Sequence, residues 1–454
     1  MNALSPPRTV DKAFYRDLWW IAVPIALQNL VVSSVNMLDT VMVGRLGAVE
    51  LAAVGLGNQI WFLLMILLFG TSSGSGVFTA QYWGKRDVAG VRRTTGLSMA
   101  LGLGAAFLFM AAALAFPRFL LGLYSRDAEV IALGAEYLRL AAPSYPFAAA
   151  SFAFSLALRG VERVKLPLAA TVVSLAINAA LNYVLIFGKL GFPALGVRGA
   201  AYATVAARVV EAAIIFAAAY ARRMPPAGTL AEFRSWGAGF LPRFARIAAP
   251  VIVNEAAWSL GITTYSAVMA RVSTDAIAAY NVTSTVSQLA MVLFMGTANA
   301  AAVMIGKRIG EGDREKAFSW AARFAIMAPL IGIAVGVLLA PATLALPRLF
   351  AIGREPLRQA RLMVIALACV FPFKVFNLHT VVGICRAGGD TRFGVFYDMF
   401  GVWGLGVPMA AIGAFVLRLE PWIVFAMLSF EEIAKSGLGI WRLATRKWLN
   451  DVTV

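Results

Sequence analysis

Apolar residues in this chain run in long stretches separated by short charged or Gly/Pro-rich breaks. The stretches at 96–116 and 321–340 reach the roughly 20 residues that a helix needs to cross about 30 Å of hydrocarbon. Transmembrane β-barrels lack runs of this kind. Read between the breaks, the pattern predicts about twelve helices, at roughly 17–42, 51–76, 94–116, 131–158, 167–187, 199–221, 247–270, 277–305, 321–340, 362–384, 393–416 and 421–441. The expected fold is an all-α polytopic membrane protein with about twelve transmembrane helices.

The pattern also repeats. Shifting the chain by 226 residues lays 21–87 on 247–313 without a gap. Ile21-Ala22-x-Pro24 falls on Ile247-Ala248-x-Pro250, Arg45 on Arg271, Ala52-Ala53 on Ala278-Ala279, Gly70-Thr71 on Gly296-Thr297, and Gly84-x-x-Asp87 on Gly310-x-x-Asp313. Arg159-Gly160 and Arg386-Ala387 carry the repeat further at a shift of 227, one inserted residue. The longest polar connection, 222–246, then divides the chain into a six-helix lobe at 1–221, a cytoplasmic linker and a six-helix lobe at 247–454. Six is an even number, so the copies enter the membrane in the same direction. They are expected to be pseudo-symmetric about an axis along the membrane normal, with a substrate site between them.

Composition fits lipid as the main solvent, because 60% of the 454 residues are hydrophobic and only 14% are charged. A formal net charge of +17 raises nucleic acid as a partner, but the basic residues fall in short loops between apolar spans. Topology explains them: with the N-terminus in the cytoplasm, 25 of the 40 Lys and Arg lie on that side, 12 on the other, and Arg208, Lys374 and Lys435 within spans. Both termini are then cytoplasmic. Residues 1–16 lead into a full-length span without an Ala-x-Ala cleavage pattern, so no removable signal peptide is expected. Cys369 and Cys385 lie on one predicted helix about 24 Å apart, beyond disulfide reach.

Ionisable groups inside a bilayer cost at least about 2.5–3.5 kcal/mol on insertion scales and become functional candidates where they face a cavity. Asp39 is one, on a polar stripe of Asn29, Ser33, Asn36, Asp39 and Thr40 down the first helix. Glu255, Ser259, Thr263 and Ser266 nearly repeat the stripe on the seventh helix. Ser174, Asn178 and Asn182, at spacings of four, form a face on the fifth helix that either meets Asp39 or serves helix packing. Loss of solvent favours a neutral carboxyl group, so Asp39 and Glu255 are candidates to exchange H⁺, or to bind Na⁺ with nearby hydroxyl and amide oxygens.

Other polar and aromatic positions are more ambiguous. Gln59 and Gln288, beside Asn58, Ser284 and Ser287, mark the second and eighth helices. Trp61, Phe62, Met65, Trp258, Met291 and Met295 could wall a site for flat or cationic molecules, or simply pack. Pro24 and Pro250 are expected to kink their helices, as a gate or as a fixed shape. Arg208 with Glu211, Lys374 with Asp398, and Glu431 and Glu432 with Lys435 read as local neutralisation. His379 has no partner at ligand spacing and reads as a helix contact. No Asp-Asp-x-x-Asp pattern is present for Mg²⁺-diphosphate, so neither an enzyme nor a cofactor is expected.

The segments Pro24–Asn29, Asn36-Met37-Leu38-Asp39-Thr40-Val41-Met42-Val43-Gly44, Thr79-Ala80-Gln81-Tyr82-Trp83-Gly84, Asn254-Glu255 and Gly383-Ile384-Cys385-Arg386-Ala387-Gly388-Gly389-Asp390-Thr391 together resemble the multidrug and toxic compound extrusion (MATE) family over nearly the whole chain. The resemblance implies a monomer in the bacterial inner membrane, two six-helix lobes forming a V-shaped cleft, and alternating access. It also implies that inward Na⁺ or H⁺ is exchanged for outward bulky, often cationic, organic compounds. On this reading Asp39, Glu255, Asn178 and Asn182 couple the cation, and Asp39 or Glu255 would hold Na⁺. Gln28, Asn29, Asn36, Gln59, Phe62, Met65, Asn254, Trp258 and Gln288 would bind substrate, with Pro24 and Pro250 gating.

The chain also departs from two branches of that family. The DinF-like branch has an acid where Asn182 stands, and the NorM-like branch has a tenth-helix aspartate where this chain reads Lys374-Val375-Phe376-Asn377. The pattern is intermediate between the two. The alternative is a lipid-linked oligosaccharide flippase of the same superfamily, which would need a basic cavity for pyrophosphate.

Overall fold

The computed structural model describes residues 11–350 and 352–454, which are almost wholly helical. Four long helices and a bent pair lead into the middle of the chain: α1 (Lys12–Gly44), α2 (Ala48–Gly84), α3 (Val88–Ala115), α4 (Ala128–Ala141 with Ser144–Gly160) and α5 (Lys165–Phe187). They are followed by α6 (Val197–Ala221), α7 (Phe240–Val272), α8 (Thr274–Gly310) and α9 (Arg314–Ala342). The last three are α10 (Arg354–Cys385), α11 (Thr391–Val416) and α12 (Pro421–Ala444).

Among the described residues nine helices are long and apolar enough to cross a membrane, and the bent α4 makes ten. The other two, α7 and α12, are comparable in length but carry Asn254 and Glu255, or Glu431, Glu432 and Lys435, along their lengths. Large apolar side chains such as Leu108, Leu260 and Val337 point outwards, as they do when lipid rather than water surrounds a bundle.

Helix starts follow the repeat. Asp87 caps α3 by accepting from the Gly90 N–H, and its counterpart Asp313 caps α9 by accepting from the Lys316 N–H. The single helix expected at 131–158 is broken instead, with a bend of 55° between Ala141 and Ser144. Pro143 accounts for it, because its ring excludes the preceding carbonyl and it donates no N–H. Pro24 and Pro250 lie inside helices that continue past them. Wider π-type turns occupy His379–Cys385, Met399–Gly406 and Ile412–Val416, which no apolar periodicity predicts.

The chain forms two compact units, Leu27–Ala248, and the chain up to Ala26 with Ala249–Val454. The boundaries thus fall inside α1 and α7, beside Pro24 and Pro250. In the first unit Leu64, Leu68, Ala106 and Leu138 pack α2, α3 and α4 together. In the second, Met269, Phe294, Met363 and Phe371 join α7, α8 and α10. One glycine there is required by close approach: a Cβ on Gly406 would run into the Tyr265 hydroxyl oxygen.

Candidate functional site

Within Leu27–Ala248, helices α1, α2, α4, α5 and α6 surround a cavity of about 470 Å³. Asp39 stands on its α1 wall. Asn182 Nδ2 donates to Asp39 Oδ1 at 2.7 Å. With its amide nitrogen turned to the carboxylate, Asn178 donates to Asp39 Oδ1 and Oδ2 at 3.1 and 3.0 Å. One turn of α5 separates these two amides, so the spacing of four delivers both to one carboxylate. Ser174, one turn earlier, donates to the Ala207 carbonyl at 2.7 Å and ties α5 to α6. Asn182 Oδ1 is buried and receives no hydrogen bond. Both amides turn their nitrogens to the carboxylate, so the hard donors present for a cation are the Asp39 oxygens and the unpartnered Asn182 Oδ1.

The other walls are aromatic. Trp61, Phe62 and Met65 come from α2, and Tyr137 and Tyr145 from α4. The rings of Trp61 and Tyr145 lie 5.4 Å apart. Arg208 brings its guanidinium within 5.6 Å of the Trp61 ring centre, while its Nη1 pairs with Glu211 at 2.8 Å. The expected neutralisation of Arg208 by Glu211 is therefore present.

A buried polar chain runs on from that pair. Thr171 donates to Glu211 at 2.9 Å, Gln28 donates to Thr171 at 2.8 Å, and Arg159 donates to Gln28 Oε1 at 2.7 Å. Each hydrogen is passed to an acceptor on a different helix, which holds α1, α4, α5 and α6 in register. Gln28, expected on a substrate wall, is 8% exposed and belongs to this network instead of the cavity lining.

The second acid stands differently. Arg386, 4% exposed, donates to Glu255 from just past the end of α10. Asn254, expected to contact substrate, is 4% exposed and donates to Asp398 at 2.9 Å. Asp398 does not pair with Lys374 as the sequence suggests. Lys435 reaches it at 3.6 Å, along with Glu432 at 3.3 Å and Glu431 at 3.9 Å, and Lys374 donates to Ser287 at 3.2 Å. His379 is a helix contact, 2.9 Å from the Thr297 hydroxyl.

Of the predicted residues, Asp39, Asn178, Asn182, Asn36, Phe62 and Met65 meet at the cavity. Asn29 and Gln59 do not line it. Trp258 and Gln288 are exposed on α7 and α8, where Gln288 reaches the Ser284 hydroxyl at 3.5 Å.

The sequence profile of the MatE family matches residues 24–184 and 250–412, once in each copy of the repeat. The chain belongs to the MatE family. It is thus a multi-pass membrane transporter and not an enzyme. The probable multidrug resistance protein NorM of Rhizobium meliloti is 33% identical over 310 residues, 66% of this chain and 64% of that protein. A probable multidrug resistance protein NorM of Thermotoga maritima is 24% identical over 440 residues, 95% and 93% of the two chains. Among solved structures, the Vibrio cholerae MATE transporter VcmN superposes with a TM-score of 0.87 over 95% of this chain and 96% of its own, at 18% identity. That likeness is one of fold.

In this MatE chain, sequence reasoning missed Tyr137, Tyr145 and Thr204 on the cavity wall and Arg386 beside Glu255. The tyrosines gave no signal, being single polar groups in an apolar run. Arg386 did give one, because the repeat pairs it with Arg159 and both reach residues just after the prolines of α1 and α7.

Proposed function

We propose that this chain exports bulky, often cationic, organic compounds in exchange for inward Na⁺ or H⁺, and that Asp39 is the group for which ion and compound compete. The observation that carries the reading is the Asp39 carboxylate, held by Asn178 and Asn182 in the same cavity that Trp61, Phe62 and Tyr145 line. With an ion at Asp39, the wall facing the cavity is neutral. Once the ion leaves, the bare carboxylate attracts a cation whose flat body stacks on the aromatic side. Each ligand then lowers the affinity for the other by the same factor, which is the thermodynamic requirement for exchange.

The finer features join the proposal. Lobes 1–221 and 247–454, linked by 222–246, sit in the inner membrane as a monomer with both termini cytoplasmic, and Pro24 and Pro250 serve as gating bends. Glu255 takes a smaller part in coupling, because Arg386 already meets its charge. The flippase reading is less favoured: among the described residues lining the cavity the basic side chain is Arg208, and Glu211 holds it.

The test is ethidium transport in proteoliposomes under separately imposed Na⁺ and pH gradients, with parent, Asp39→Asn and Glu255→Gln proteins. Transport that follows one gradient and is lost in folded Asp39→Asn supports the proposal. Transport indifferent to both gradients and both substitutions sinks it and favours the flippase.

A further inference from the structure

The positive-inside pattern leaves 12 Lys and Arg on the side of the membrane away from the termini. Six of those, Arg118, Arg139, Arg198, Arg354, Arg358 and Arg361, line just two pockets, one in each repeat copy. The first, of about 510 Å³, lies between the end of α3, the first part of α4 and the start of α6. The second, of about 450 Å³, lies between the end of α9 and the start of α10. Their linings correspond through the repeat, since Ala132 and Ala135 in the first fall on Arg358 and Arg361 in the second at the shift of 226. The arginines therefore arise at different positions within equivalent pockets. Shared ancestry of the scaffold does not by itself produce that, whereas a common ligand does.

The charge balance is the same in both. In the first pocket Arg198 pairs with Glu136, and Arg118 and Arg139 have no carboxylate within 4.0 Å among the described residues. In the second, Arg358 is held by Glu355 at 2.8 Å and Glu420 at 3.0 Å, while among the described residues Arg354 and Arg361 have no carboxylate within 4.0 Å, and Arg361 Nε is buried without a hydrogen-bond partner. Each pocket thus keeps two guanidinium groups uncompensated, in a setting that is otherwise apolar: Leu140 in the first, Leu357, Leu362 and Ile365 in the second. Tyr202 edges the first pocket, and Phe116, Phe119 and Tyr124 are exposed near it, as aromatic residues are at the level of lipid headgroups.

The geometry points to a phosphate-binding site in each copy, taking the headgroup phosphate of an anionic phospholipid from the leaflet opposite the termini. Two arginine forks match the oxygens of one phosphate, and the apolar wall receives the start of the acyl chains. The sites need only the membrane placement of the helices and stand apart from the Asp39 cavity.

The test is native mass spectrometry of protein taken from vesicles of phosphatidylcholine with phosphatidylglycerol, comparing the parent with Arg118→Gln/Arg139→Gln and Arg354→Gln/Arg361→Gln. The parent should retain two phosphatidylglycerol molecules and each variant one, with at least about tenfold weaker binding at the altered pocket. Arg118→Lys/Arg139→Lys, which keeps charge but loses the fork, should fall between parent and Gln variant and covers the case of a Gln variant that does not fold. Equal retention by parent and variants, or equal retention of phosphatidylcholine, would overturn the assignment. So would displacement of the lipid by millimolar inorganic phosphate, which would mark the pockets as sites for a soluble anion.

Discussion

At the position of Asp39 in the first copy of the repeat, the second copy has Tyr265. Asp39 is met by two amides at the edge of a cavity, whereas Tyr265 is 2% exposed and donates to Glu431 at 2.7 Å inside a packed cluster. The arginines of the repeat diverge in the same sense. Arg159 donates to the neutral Gln28, while Arg386 donates to the carboxylate of Glu255. In the second copy every acid near the centre of the helices has a cation at hand, Arg386 for Glu255 and Lys435 for Asp398, Glu431 and Glu432. In the first copy Glu211 pairs with Arg208, and Asp39 takes its hydrogen bonds from amides, with Arg208 in the same cavity but held by Glu211. A carboxylate already neutralised by a fixed partner gains little from an ion in solution. One held by neutral donors can exchange it. On the proposed function, this divergence between the repeat copies gives ion exchange to the first and a fixed internal charge balance to the second.

The largest expected effect breaks or confirms that division directly. Asp39→Asn keeps the size and the hydrogen-bonding surface but removes the exchangeable charge, so gradient-driven ethidium transport should fall roughly 100-fold, the upper part of the range for coupling between two ligands. Glu255→Gln in the same assay should stay within about threefold of the parent, because Arg386 rather than a transported ion is its partner. The reverse ranking, measured on folded proteins, would transfer the coupling role to the second copy.

Stability should rank the two acids the other way. Removing one member of the Glu255–Arg386 pair leaves a charge without its partner. Glu255 retains 21% side-chain exposure, so the cost sits below the roughly 3–5 kcal/mol of a fully buried pair, at about 2 kcal/mol. Arg386→Gln should show it as a lowered unfolding midpoint in detergent, and Glu255→Gln/Arg386→Gln should recover part of the loss. Asn182→Ala is smaller again. It deletes one hydrogen bond that favours the bare Asp39 carboxylate, so half-saturation should shift about tenfold, to tighter binding where H⁺ drives transport and to weaker binding where Na⁺ does and loses the Asn182 oxygen. An unchanged ion dependence would remove Asn182 from the site.

Much of this contrast was legible in the chain. Long apolar runs located the helices, since lipid imposes a length that composition alone can report. The spacing of Asn178 and Asn182 placed both on the face that meets Asp39, because helical geometry fixes that outcome locally. What stayed hidden depends on contacts between distant segments. Gln28 and Asn254 looked like substrate ligands, yet Thr171 and Asp398, more than 140 residues away in sequence, claim them. Lys374 looked like the partner of Asp398 because two charges in neighbouring spans invite pairing, but Lys435 on α12 is the cation that reaches it. The break in α4 was readable from Pro143 and was masked by the apolar run around it.

The smallest expected effect concerns how each copy finishes. After α6 the linker turns back on α3: Thr229 and Glu232 form a capping box, Arg92 Nη1 pairs with Glu232 at 2.5 Å, and a Cβ on Gly96 would meet the Phe233 backbone. After α12 the chain turns back on α9, where the charges are reversed and Arg446 pairs with Glu315 at 2.5 Å. The Thr229 backbone N–H and then the Arg92 guanidinium hold Glu232 below the ordinary carboxylate value of 4.5. A carboxyl group lowered on folding contributes stability above its unfolded value, and that contribution disappears as pH falls through the folded one. Glu232→Gln should therefore be cut faster than the parent within 222–246 by a protease at neutral pH, and the two should converge as the pH drops below about 4.5. The effect is slight because the pair is largely in water. Equal cutting of the two proteins at neutral pH would mean that the linker is held by Phe233 packing alone, and the first copy would then finish without the electrostatic clasp that Arg446 and Glu315 supply in the second.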